Sequence, residues 1–222
     1  MEGVKKMKKG KEKILFLVLL LLLLIGIRGT IAWLTSTDSI VNEFTVGEIT
    51  SPTTDPEDST KTIHINGNLY EKEWDESQAH KIVPGVSFTK KPYVGIGEGS
   101  EESVVYIYVE NDFSASNKVY FTLNSGWQAV TGHAVEGPST GTYASGLFKY
   151  TETLNASGGD AWTTAIFNSI NVASNATTEE LTPVGSTSNI TVKSLVHQAK
   201  DASGTAIPAA TIETAAINTL EN

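Results

Sequence analysis

An all-β fold, an antiparallel β-sandwich of jelly-roll or immunoglobulin-like type with a short C-terminal helix, is the class this sequence predicts, on three observations. Short runs of alternating apolar residues recur along the chain. Turns rich in Gly and Pro separate them, and one stretch near the end carries a helical period. The 222 residues are 40% hydrophobic, enough for one β-rich domain with a real core.

Composition narrows the chemistry. The chain has no cysteine, so packing and hydrogen bonds must supply its stability, and thiol catalysis and Cys-ligated zinc are excluded. The net charge of -9 is unevenly spread: residues 1–32 carry +5, which leaves -14 for residues 33–222. Such an acidic body argues against nucleic-acid binding and fits a self-repelling extracellular protein.

The N-terminus reads as a cleaved leader over residues 1–32. Six lysines precede Ile14–Ile25, a run of only Ile, Leu, Phe and Val. A membrane-spanning helix needs about 20 such residues, whereas the apolar part of a signal peptide needs roughly 7 to 15. Thr30 and Ala32 place small side chains where a signal peptidase admits them, so cleavage is expected between Ala32 and Trp33. An uncleaved anchor is the alternative, since Ile31–Leu34 is again largely apolar, but Arg28 interrupts that extension. The membrane is then met only through the uncleaved leader.

Residues 33–49 follow as an N-terminal strand segment with Trp33, Leu34, Ile40, Val41, Phe44 and Val46 among small polar residues. Residues 50–61, with Pro52 and Pro56 among Thr, Ser and acidic residues, read as a loop or linker, and 62–222 as the sandwich. Ile63 and Ile65 run into Asn66-Gly67, a hairpin or bend signal before Leu69 and Tyr70. Pro84-Gly85 makes a turn before Val86 and Phe88, and Pro92 belongs at an edge, a bulge or a strand start. Gly95–Gly99 reads as a hairpin turn before the clearest strand, in which Val105, Ile107 and Val109 face one way and Val104, Tyr106 and Tyr108 the other. Both faces are apolar, so this strand is expected at the centre, covered on both sides or with its tyrosines laid flat.

Val119, Phe121 and Leu123 repeat the alternation, and Thr131–Ser145 reads as loop. Leu147, Phe148 and Tyr150 give a short strand, and Ile190, Val192 and Val196 a strand running into Gln198. Ile212, Ala215, Ala216 and Leu220 then fall at helical spacing.

No catalytic constellation emerges. His64, His80, His133 and His197 are scattered, without the paired spacing that zinc hydrolysis needs. Glu71, Glu73, Asp75 and Glu76 around Trp74 could attract calcium but lack the loop glycine and ligand spacing of an EF-hand, so a solvated acidic turn is the expectation. Calcium and zinc are thus the two metals the residues invite, and the expectation is no cofactor. No GxSxG is present, and the glycines at 95–99 lack the Lys and helix of a phosphate loop. The N-x-S/T triplets at Asn155, Asn175 and Asn189 occur at chance level in a Ser- and Thr-rich chain.

Three blocks carry a family resemblance. The leader exit, GTIAWLTSTDSIVNEFTVGEI, resembles the signal-and-first-strand block of TasA-like and camelysin-like exported proteins of Gram-positive bacteria, which are processed by a SipW-type signal peptidase. HKIVPGVSFTKKPYVGIGEGSEESVVYIYV and ITVKSLVHQAKD are similar to that family's Pro-Gly turn with core strand and to its late strand. The resemblance implies a jelly-roll-like sandwich and, for the TasA branch, a secreted fibre subunit of the biofilm matrix or cell surface. In it the N-terminal strand of one subunit completes the sheet of the next, giving self-associated head-to-tail filaments. Trp33, Leu34, Ile40, Val41, Phe44 and Val46 would be the donor side chains. The camelysin branch implies a secreted metal-dependent endopeptidase, for which the sequence offers no zinc motif. A monomeric surface adhesin is a third expectation.

Overall fold

The computed structural model describes residues 48–72, 82–183 and 189–221 together with the backbone of 38–40. All of these belong to one unit of the chain, residues 33–222. The described residues are mostly strand, in antiparallel sheets, with one short C-terminal helix, as an all-β sandwich-like fold requires.

The principal sheet is built on four long strands of nine or ten residues each. β1 (Asp38–Ile40), β2 (Thr54–Asp55), β3 (Asp58–Thr62), β4 (Leu69–Lys72), β5 (Ser87–Thr89) and β6 (Lys91–Ile96) lead to β7 (Ser103–Asn111). After it come β8 (Val119–Thr122), β9 (Trp127–Glu136), β10 (Thr142–Tyr150), β11 (Ala161–Trp162), β12 (Ser169–Val172), β13 (Ile190–Gln198) and helix α1 (Ala209–Leu220). The strand order is β1-β13-β7-β10-β8-β12-β5, with β9 alongside β10. β11-β6-β4 and β2-β3 form two smaller sheets.

β7 is central, paired with β13 along its whole length on one side and with β10 on the other. Its alternation explains the layers. Val105, Ile107 and Val109 share a face with their partners Val196, Ser194 and Val192 and with Phe148 of β10, and all are buried. Phe148 meets the ring of Phe121 from β8 edge-on at 5.5 Å, and Phe121 lies 4.6 Å from Phe167. On the opposite face Tyr106, Leu147, Leu195 and Val130 pack against Ile212, Ala216 and Leu220 of α1. An apolar stripe at i, i+4 and i+8 is what lets a 12-residue helix lie on a sheet. Each fully buried side chain of this kind is worth about 1.5–3 kcal/mol in transfer from water.

Asn111 marks the corner where β10 passes from β7 to β8. Its side-chain amide donates to the carbonyls of Val119 and Ala144, and its Oδ1 accepts from the Phe113 N–H. A buried amide with these partners satisfies backbone groups that the change of partner strand would otherwise orphan.

Three local expectations are corrected, and the hairpin-or-bend alternative at Asn66-Gly67 resolves to a bend. Thr131–Ser145 is not a loop: β9 runs on to Glu136, and β10 already starts at Thr142. β9 reads poorly as a strand because it lies at the sheet margin with many exposed polar residues, and two register shifts break its alternation. Gly146 has φ 132°, and a Cβ there would meet the carbonyl oxygen of His133 at 2.5 Å, so glycine is required where the hairpin closes up. Residues 50–61 carry the β2–β3 hairpin and are bonded to the body. Asn66-Gly67 makes a bend, since β3 pairs with β2 and β4 with β6. The Gly97–Ser100 turn does close, by a bond from the Ser100 N–H to the Gly97 carbonyl, but β6 and β7 belong to different sheets and form no hairpin.

Candidate functional site

The segment singled out by the sequence reaches the described structure at β1. Its three residues pair in parallel with β13, Asp38 opposite Val192, Ser39 opposite Lys193 and Ile40 opposite Ser194. The inner edge of β13 is taken by β7, so β1 sits on the outer edge and faces three of nine β13 residues. A parallel partner is unusual in this otherwise antiparallel sheet and needs no hairpin to reach it. Ile40 therefore stands at the end of β1. Thr30, Ala32, Trp33, Leu34, Val41, Phe44 and Val46 lie outside the described residues.

From Glu48 onward the backbone is tied to the body. The Glu48 carbonyl accepts from Glu101 N–H and the Thr50 carbonyl from Gly97 N–H, while Thr50 N–H donates to Ser100 Oγ. Asp160 clamps the next two residues of β2 and its approach. Its Oδ2 accepts from the backbone N–H of Thr53 at 2.6 Å and of Thr54 at 2.8 Å and from the Thr54 hydroxyl, and its Oδ1 accepts from Glu98 N–H. Burial raises the Asp160 pKa, but the bonds from Thr53, Thr54 and Glu98 outweigh it and hold the carboxyl below its ordinary range.

The β2–β3 hairpin is pinned by a charged network. Lys72 on β4 reaches Asp55 at 2.8 Å and Glu57 at 3.0 Å, and Tyr93 on β6 donates to Glu57. The Tyr93 hydroxyl first, then Lys72, brings the Glu57 carboxyl down to about 2. Burial pushes Asp55 up, and Lys72 with the Glu57 and Asp58 amides overrides it downward. The carboxylates hold the lysine in turn, raising its pKa. Neither Asp160 nor this network is foreseeable from the chain alone. The one sequence signal is a carboxylate in a Gly-rich turn, and polar stretches rich in Thr and Asp look alike whether solvated or bonded.

The remaining candidates do not converge. His64 is exposed, His80 lies outside the described residues, His133 on β9 contacts Glu221 at 2.9 Å, and buried His197 places Nδ1 at 2.8 Å from the Gln198 carbonyl. No group of three or more His, Cys, Asp or Glu side chains among the described residues could hold a metal ion. Glu71 faces Lys90 rather than solvent, while Glu73, Trp74, Asp75 and Glu76 lie outside the described residues. Asn155 and Asn175 are exposed, and Asn189 donates its N–H to Asp112. No helix among the described residues is long and apolar enough to cross a membrane.

No protein-family model, no curated protein and no solved structure matches this chain.

Proposed function

We propose that this protein is an exported structural subunit of a cell-surface or matrix fibre, released by a SipW-type signal peptidase, in which segment 33–46 of one copy completes the sheet of the next. The observation that carries the reading is β1. Part of the segment is already a strand on the outer edge of β13, and the backbone at Glu48 and Thr50 is bonded to the body. Main-chain bonds give such an edge its affinity, and the alternating side chains of an added strand set its register. In a lone subunit the edge is taken by its own segment, and in a fibre by a neighbour's. A head-to-tail contact of this kind is heterologous and does not close on itself, so filaments are its product. The acidic body of residues 33–222 favours solubility until assembly.

Expression of residues 33–222 beside a version starting near Thr50, with electron microscopy and light scattering, tests the reading. The longer chain is expected to form filaments and the shorter to stay monomeric. If both stay monomeric or both polymerise equally, strand donation is wrong. Chelator-sensitive casein cleavage with stoichiometric zinc would replace it by a camelysin-type endopeptidase.

A further inference from the structure

Lys90 is among the largest fully buried side chains of the molecule, and its Nζ lies 2.5 Å from Oε2 of Glu71. The two side chains are 0% and 5% exposed. Both backbones are held: Glu71 sits in β4 opposite Pro92 of β6, and Lys90 donates its N–H to the Asn168 carbonyl at 3.1 Å. The other close ion pairs are less enclosed. Lys72 is 18% exposed in its pair with Asp55, and Lys72 with Glu57 and Lys200 with Glu102 each leave a partner 40% or 52% exposed, where water reaches the ions.

From this geometry we infer that Lys90 and Glu71 are a covalent cross-link site, joined after folding by an amide between Nζ and Cδ. In water an ammonium and a carboxylate do not condense, because hydration stabilises both ions. Burial removes that hydration from each, and the charged pair carries a desolvation cost that a neutral amide does not. Passing one proton from Nζ to the carboxylate gives a neutral amine beside a neutral acid. The amine lone pair then forms the Nζ–Cδ bond, and a Cδ–O bond breaks. The departing oxygen takes that proton and a second one from nitrogen and leaves as water, so no oxidant and no co-reactant is consumed. Holding two reactants in contact within a rigid fold is worth an effective concentration on the order of 10⁵–10⁸ M in favourable cases, which is what makes an unactivated condensation feasible. The product would bridge β4 to the β5–β6 junction and close the chain between residues 71 and 90, a covalent staple in a protein without cysteine.

Intact mass spectrometry of the purified, folded protein tests the inference, with its termini assigned from the same spectra. The wild-type chain is expected to be lighter than its sequence by one water and, after trypsin, to yield a branched peptide joining the Glu71 and Lys90 segments. Glu71→Gln should instead lose one ammonia through the same attack, and Lys90→Met should show neither loss nor branch. A wild-type chain of full sequence mass with no branched peptide overturns the inference, whatever the folding of the two variants. A water loss that persists in Lys90→Met places the dehydration elsewhere and overturns it as well.

Discussion

Glu57 shows how a single exposed-looking side chain is recruited into the fold. Its carboxyl sits at about 2 in the folded chain against 4.5 for an unperturbed glutamate. A depressed acid of this kind stabilises the folded state fully above the unfolded value, and the contribution drains as pH falls from 4.5 toward 2. Asp55 and Asp160, also lowered, act in the same direction. Urea unfolding across that window should therefore lose stability steeply with acid, and Glu57→Gln should flatten the slope there while changing it little above pH 6. Since the Glu57 side chain is 40% exposed, solvent screens the effect and the flattening will be partial. The residues of the core were legible from alternation alone, because Val105, Ile107 and Val109 can be buried only on one face of a strand. Asp160 and Asn111 were not: a carboxylate or amide gives no pattern in sequence, and its partners at Thr53 and Ala144 are 107 and 33 residues away.

Among the elements, β7, β13 and α1 were readable and β9 was not. β7 is apolar on both faces, β13 alternates Ile190, Val192 and Val196 on one buried face, and the helix announces itself by Ile212, Ala216 and Leu220. Ile212→Ala should cost about 2–5 kcal/mol in chemical denaturation, as for other buried large-to-small changes, because the cavity opens between α1 and Leu195. Thr214→Ala, on the exposed side of the same helix, should stay within about 0.5 kcal/mol. The β2–β3 hairpin escaped notice for the opposite reason to the core: its strands are stabilised by Lys72 and by Asp160, so their own side chains are free to be polar. As for the candidate site, Ile40 is the one expected donor residue among the described residues, and the pairing of β1 with β13 emerged only from the register.

At the scale of the molecule, charge would set the conditions for the proposed assembly. Residues 33–222 carry -14, so copies repel one another at low ionic strength. The Debye length shortens from about 30 Å at 0.01 M salt to about 8 Å at 0.15 M. Filament growth followed by light scattering should accordingly quicken as sodium chloride is raised over that range. Growth that is fastest without salt would mean that opposite charges, rather than strand edges, make the contact. The edges of the principal sheet are also unlike. The β13 edge is a regular nine-residue strand in unbroken register with β7, whereas β9, which pairs with β10 off the main strand path, slips register twice against it and is largely exposed and polar. A broken edge is a poor template for another strand. A chain built this way is receptive along the β13 border and reluctant along the β9 border, so a filament of such subunits would have a growing end and a blunt flank at β9.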